Sequence, residues 1–266
     1  MVEKIQLMGI VNLTGDSFYS GSRMLAEDGS VDISRLLSRA GTMLAEGADI
    51  IDLGACSTRP GSVPVGAEEE WRRLCPALRA LREAFPAMRI SVDTYWSSVV
   101  ERVFDTIGPF LVNDISAGMA DPAMLPTVGR LGLPYVAMHS RGTPETMASL
   151  TDYDDVVADV KAFFRAFALR ASEAGITDWI LDPGFGFAKT LEQNWELLHR
   201  LHELQELGRP ILVGISRKSM IYKKFNLTPE TALEATRQAH LIAVEQGASI
   251  LRVHDVAGAL PGYSTV

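Results

Sequence analysis

A chain of 266 residues, 47% of them hydrophobic, carries enough apolar material for a full core. Its formal charge of −8 disfavours nucleic acid or an anionic membrane as the main partner, yet permits a small anionic substrate where basic residues gather locally. Two cysteines, Cys56 and Cys75, cannot supply a disulfide framework, and ten methionines suit a reducing compartment.

No apolar run approaches bilayer length, and the opening "MVEKIQL" has no signal-peptide core, so a cytoplasmic location is expected. In chain order, short β-branched runs occur at "QLMGIVNL", "ADIIDLGA", "RISVDT", "FLVNDIS", "YVAMHS", "DWILDPG", "PILVGIS" and "ASILRVH". Amphipathic stretches of helical length separate most of them, such as "DISRLLSRAGTMLAEG", "AEEEWRRLCPALRALREAF" and "YDDVVADVKAFFRAFALRASEAG". Apolar strands alternating with helices predict a parallel sheet covered on its faces. Gly47, Gly175, Gly208 and Gly247 each stand where a helix must stop before the next strand.

Eight such units in this length predict an α/β fold, a (β/α)8 TIM barrel, with residues 1–266 as one domain. An open doubly wound sheet competes less well, because no G-x-G-x-x-G follows the first strand. The segment "VAGALPGYSTV" after the eighth strand is too short and too rich in Gly and Pro for a full helix, so the closing helix is expected to be shortened or absent.

Polar residues collect where these strands end. They are Asn12, Asp52, Asp93, Asn113 with Asp114, His139, Asp182, Ser216-Arg217-Lys218, and Arg252 with His254. Any one of them has a bland explanation: an Asp caps a helix or forms a turn, and a lone Arg or Lys is a solvated charge. His199 and His202 read as helix surface. The convergence is harder to explain without a ligand, since charges brought to one rim need partners. Carboxylates and an asparagine in a barrel mouth suit a flat heterocycle presenting N–H donors. Asp182 is placed to accept two parallel bonds from an amidine-like edge, as in a pterin or guanine. The late basic cluster lies where many barrels bind phosphate. No H-x-x-x-H or paired-Cys spacing supports a structural zinc, whereas Asn12 together with a diphosphate would suit Mg²⁺. A serine hydrolase is disfavoured by the lack of G-x-S-x-G.

The ordered set "MGIVNLTGDSF", "STRPGS", "SVDTY", "VNDISAG", "LDPGFGFAK", "GISRKSM" and "LRVHD" closely resembles the dihydropteroate synthase family, from Met8 to Asp255. The resemblance implies a TIM barrel. It implies condensation of 6-hydroxymethyl-7,8-dihydropterin diphosphate with p-aminobenzoate to 7,8-dihydropteroate, in folate biosynthesis, with sulfonamides as competitors. It places Asp93, Asn113, Asp182, Lys218 and Arg252 around the pterin. Asn12, Arg252 and His254 would hold the diphosphate, with Asn12 at its Mg²⁺. Thr58, Arg59 and Pro60 would close over p-aminobenzoate beside Phe187, Ser216 and Lys218. Asp93, Asp182, Lys218, Arg252 and His254 would carry the catalysis, through a dissociative, SN1-like loss of pyrophosphate.

The sequence departs from the family pattern at Gly15, where proline is usual, and at Cys56, where glutamate is common. The family's closing helix also serves its homodimer, and "AGALPGYSTV" does not look like that helix. Two other readings share the acidic pterin site: a pterin-dependent methyltransferase barrel and a non-catalytic pterin-binding relative. "STRPG", "SRKS" and the Arg252–His254 pair argue against the first, since a methyl donor has no diphosphate to leave.

Overall fold

The computed structural model describes residues 4–14, 24, 29–56, 65–143 and 146–260. Eight strands run in chain order: β1 Gln6–Asn12, β2 Ile50–Gly54, β3 Arg89–Asp93, β4 Leu111–Asp114, β5 Tyr135–Met138, β6 Trp179–Asp182, β7 Leu212–Val213 and β8 Ile250–Val253. The α-helices are α1 Ile33–Ala45, α2 Ala67–Ala84, α3 Ser97–Ile107, α4 Met124–Leu131, α5 Val156–Glu173, α6 Leu191–His199, α7 Ser219–Lys224 and α8 Leu233–Glu245.

Helix starts and stops follow local chemistry. The Asp32 carboxylate accepts from Arg35 N at 2.9 Å to open α1, and the Asp155 carboxylate accepts from Val157 N at 2.8 Å to open α5. Thr190 and Gln193 form a reciprocal capping box at the start of α6. Gly47, Gly175, Gly208 and Gly247 all have positive φ, between 62° and 100°, as helix-stopping glycines require. The glycine at 208 ends a 3-10 helix, Leu201–Leu207, rather than an α-helix.

All strand pairs are parallel, in the order β6-β5-β4-β3-β2-β1-β8-β7. The sheet closes on itself through the bridge Leu181↔Ile211 and a 3.0 Å bond from Leu181 N to Pro210 O. The expected TIM barrel is therefore what forms, and the open sheet is excluded by the closing bridge.

Period-2 alternation divides every strand between two apolar environments. Outward residues such as Ile51, Leu53, Val92, Val112 and Leu181 pack under the helices in the larger core. Inward residues Met8, Ile50, Leu111, Val136, Ile180, Leu212 and Ile250 form a separate apolar layer across the barrel. Two residues further along five of those strands the same face carries Asp52, Asn113, Met138, Asp182 and Arg252. One apolar floor thus lies directly beneath a polar ceiling, at the C-terminal ends of the strands.

After β8 the described chain runs to Leu260 without a helix, in line with a shortened or absent closing helix. It is held instead by His240 of α8, whose Nδ1 donates to Ala259 O at 3.0 Å. Among the described residues no helix is long and apolar enough to cross a membrane.

Candidate active site

The polar layer is organised by Arg252. From β8 its Nε donates to Asp52 Oδ2 at 2.7 Å, and its Nη2 reaches Asp52 at 2.6 Å and Asp93 Oδ2 at 2.9 Å. Asn113 adds Nδ2 to the same Asp52 carboxylate, 3.3 Å from each oxygen. The Asn113 Oδ1 makes no hydrogen bond among the described residues, so an acceptor faces the mouth of the barrel. Asp52 is wholly buried, and its negative charge needs the guanidinium beside it. Asp93 is raised well above the usual carboxylate range, chiefly by burial, with Arg252 pulling the other way.

Asp182 ends β6, mostly buried, with one oxygen accepting from Gly184 N at 2.8 Å. Its second oxygen makes no hydrogen bond among the described residues. Burial raises this carboxyl's pKa and Lys218 opposes the rise. Lys218 stands at the N-cap position of α7 and donates to Phe185 O at 2.7 Å, with its ammonium 4.8 Å from the centre of the Phe187 ring. Burial lowers its pKa to about 8. Phe187 is half-exposed at the rim. Phe185, its neighbour in the Gly-Phe loop, is instead completely buried in the helix-covered core. Only one of the two rings is available as a wall.

Ser216 and His254 form a pair at the next edge: the Ser216 hydroxyl lies 3.2 Å from both His254 N and His254 Nδ1. Burial and the neighbouring Arg252 lower the His254 pKa to about 4, so at neutral pH the imidazole offers a hydrogen bond and no charge. Asn12 ends β1 opposite Gly54, where a Cβ would lie 3.5 Å from both Asn12 Oδ1 and Asp93 Cβ. The Asn12 amide makes no hydrogen bond among the described residues.

Three residues at strand ends are not part of this mouth. Arg217 turns away, donating from Nε to Asp255 Oδ2 at 2.7 Å and from Nη1 to Pro229 O at 2.6 Å and Glu230 O at 2.9 Å. The basic cluster contributing to the mouth is thereby reduced to Lys218 and Arg252. Asp114 points outward and is saturated by Tyr135 Oη at 2.6 Å, Ser116 N at 2.7 Å and Gly118 N at 2.8 Å. His139 is buried under the sixth loop, its Nδ1 accepting from Lys189 Nζ at 3.0 Å. His199 and His202 are exposed, as expected of helix surface. Thr58, Arg59, Pro60 and Gly15 lie outside the described residues.

Two residues matter here although sequence reasoning assigned them no role. Asp52 was visible only as one acid among several at the rim; its pairing with Arg252, 200 residues away, depends on barrel closure. Lys189 was hidden inside a loop motif. Cys56, by contrast, is half-buried at 3.6 Å from the Tyr95 hydroxyl, and burial raises its thiol pKa, which makes it a poor nucleophile.

Residues 8–254 match the model of a family described as pterin binding enzymes. A dihydropteroate synthase of Escherichia coli strain K12 is 41% identical over 252 residues, covering 94% of this chain and 86% of its own. The chain belongs to the dihydropteroate synthase family. Among solved structures, a Yersinia pestis dihydropteroate synthase in a sulfonamide drug complex superposes with a TM-score of 0.88 at 38% identity, covering 97% of this chain and 90% of that one. A Thermus thermophilus dihydropteroate synthase in complex with 4-aminobenzoate gives a TM-score of 0.82 at 42% identity, covering 97% of this chain and 91% of that one.

Proposed function

We propose that this member of the family joins 6-hydroxymethyl-7,8-dihydropterin diphosphate to p-aminobenzoate by a dissociative route, with the described mouth dividing the work. The observation that carries this is the Asp182–Lys218–Arg252–Asp93 arrangement at the end of an otherwise apolar barrel. Asp182 Oδ2 and Asn113 Oδ1 are free acceptors on one inward face, which suits the 2-amino and ring N–H groups of a pterin. Charge-assisted bonds of that kind contribute about 1.5–3 kcal/mol each. Arg252 is locked by two carboxylates, so its guanidinium plane is fixed before substrate arrives and offers a flat face for the ring.

When the C–O bond between the pterin methylene and the diphosphate breaks, the electron pair leaves on oxygen and a conjugated cation remains. Lys218 and Arg252 stabilise the departing anion, and His254 adds a neutral hydrogen bond. Asp93 and Asp182 favour the positive ring. The amine lone pair of p-aminobenzoate then forms the new C–N bond, and its proton is lost to solvent afterwards, as the mouth reopens. A weakly basic arylamine attacks as the neutral species, so no side chain is needed as its base. Phe187 supplies the apolar wall for this second ring, with Ser216 and Lys218 beside it, and the family resemblance assigns Thr58, Arg59 and Pro60 to the same substrate. Water kept from the mouth cannot trap the cation.

Mg²⁺ fits the donor set. Among the described residues no group of three His, Cys, Asp or Glu side chains would cage a metal. Asn12 Oδ1 is unengaged at the end of β1, and one such oxygen suits an ion that takes most of its ligands from phosphate and water. Bound there, Mg²⁺ would neutralise charge on the diphosphate.

The sparse cysteine content and the net negative charge support a reducing cytoplasmic setting and a small-molecule partner, with no role for nucleic acid. A homodimer remains the expectation carried by the family. Titration calorimetry with p-aminobenzoate tests the reading: uptake should require pyrophosphate or the pterin diphosphate with Mg²⁺. Equal binding with neither present would contradict it. A pterin sensor or a methyltransferase would show no such order.

A further inference from the structure

We propose that Lys189 is a positioning residue for the p-aminobenzoate subsite, acting through the loop that carries Phe187. This rests on the assignment of that subsite given above. The loop from Pro183 to Thr190 has an improbable backbone. Gly184, Gly186 and Ala188 all have positive φ, at 69°, 82° and 49°. Ala188 has no glycine's freedom to do so, and such a conformation costs about 1 kcal/mol or more unless its surroundings impose it.

The surroundings here are one buried ammonium. Lys189 Nζ lies 3.0 Å from Gly184 O, 3.1 Å from Phe187 O and 3.0 Å from His139 Nδ1. Three acceptors meet the three protons of an ammonium, so the group is saturated and has nothing left for a ligand. Asn194 clamps the same loop from α6: its Oδ1 accepts from Gly186 N at 2.7 Å, and its Nδ2 donates to Thr190 O at 2.6 Å.

The neighbouring lysine is used differently. Lys218 spends a single bond, of 2.7 Å, on Phe185 O, between the two carbonyls that Lys189 holds. With one bond spent, the Lys218 ammonium keeps two protons for a substrate. Lys189 holds the flanking carbonyls from the buried side, which keeps the loop in shape while Lys218 engages a ligand. Its hold also runs to the pterin anchor, since Gly184 O accepts from Lys189 while Gly184 N donates to Asp182. The Asp182 carboxylate is, however, carried by β6 itself, whereas the Phe187 ring is carried by the loop alone. Loss of Lys189 should therefore fall on the second aromatic substrate far more than on the pterin.

Steady-state kinetics on Lys189→Met decides this, with melting curves alongside and Lys189→Arg as a second variant that keeps a buried cation but not three convergent donors. The expected result in either variant is a KM for p-aminobenzoate raised roughly tenfold or more, with the KM for the pterin diphosphate within about threefold of the parent. In a Phe187→Ala background the Lys189→Met effect on p-aminobenzoate should shrink to below about threefold, because the two residues act in one chain. Equal changes in both KM values, a fall in kcat alone, or full additivity with Phe187→Ala would overturn the proposal. So would failure of both variants to fold, which would make Lys189 a determinant of the barrel rather than of one subsite. If the parent released no pyrophosphate in response to p-aminobenzoate, the subsite itself would be wrong, a result distinct from an active parent with unselective variants.

Discussion

Arg252 shows how much one residue can organise. It sits among Asp52, Asp93 and Asp182, close enough to bond the first two. Removing the guanidinium, as in Arg252→Met, would leave buried carboxylates unpaired, at a cost of about 3–5 kcal/mol of stability on top of lost catalysis. A drop in melting temperature together with lost activity is expected; an unchanged melting curve would show that the ion pairs are not coupled to folding. Asp52→Asn is the more informative change, because Asp52 holds Arg252 from a wholly buried position. It should lower kcat/KM by roughly tenfold while the pterin still binds. Lys218 supplies a pH test. Its pKa, lowered to about 8 by burial, means that the charge is present below that value and lost as pH rises through it. The kcat/KM for the pterin diphosphate should therefore fall above about pH 8. Lys218→Arg should move that limb to higher pH, and an unmoved limb would assign it to another group.

At the scale of elements, the loop after β6 and the first turn of α2 carry the sharpest expectations. A Cβ at Gly184 would lie 1.9 Å from His139 O, in a backbone already at φ 69°. Gly184→Ala should displace the sixth loop, abolish turnover and lower the melting temperature; normal activity would mean that the loop is far softer than its hydrogen bonds indicate. Glu70, in the first turn of α2, is fully buried with neither carboxyl oxygen hydrogen-bonded, and burial raises its pKa to about 8. The folded state thus holds a proton that the unfolded chain loses near its ordinary value of 4.5. Stability from this group is complete below that value and is lost as pH rises towards 8. Glu70→Gln should flatten the decline, so that the variant melts higher than the parent at pH 8 and similarly at pH 4. A parent with no decline across that range would contradict the assignment.

For the whole molecule, the barrel and the location of its mouth were legible because both rest on periodicity. Apolar runs such as "DWILDPG" end in a carboxylate, and glycine stops such as Gly175 and Gly247 precede the next strand. Inward direction was not legible. Asp114 and Asn113 are adjacent in sequence, yet the alternation of β4 sends one to Tyr135 in the core and the other to Asp52 in the mouth. Arg217 and Lys218 part in the same way, since a φ of 54° at Arg217 turns its side chain towards Asp255. Nor does sequence reveal pairs that only barrel closure creates, such as Arg252 with Asp52 or Lys189 with His139. The fold therefore explains why the polar residues converge, and convergence is what gives each its chemistry.

The central claim is that Asp182 and Lys218 bind and activate a pterin diphosphate for attack by p-aminobenzoate. The most direct test is pyrophosphate release on mixing the protein with the pterin diphosphate, Mg²⁺ and p-aminobenzoate, with Asp182→Asn and Lys218→Ala run in parallel. Release that depends on p-aminobenzoate and falls by roughly a hundredfold in each variant is the predicted result. Undiminished release in either variant, or none from a parent that still binds pterin, would contradict it.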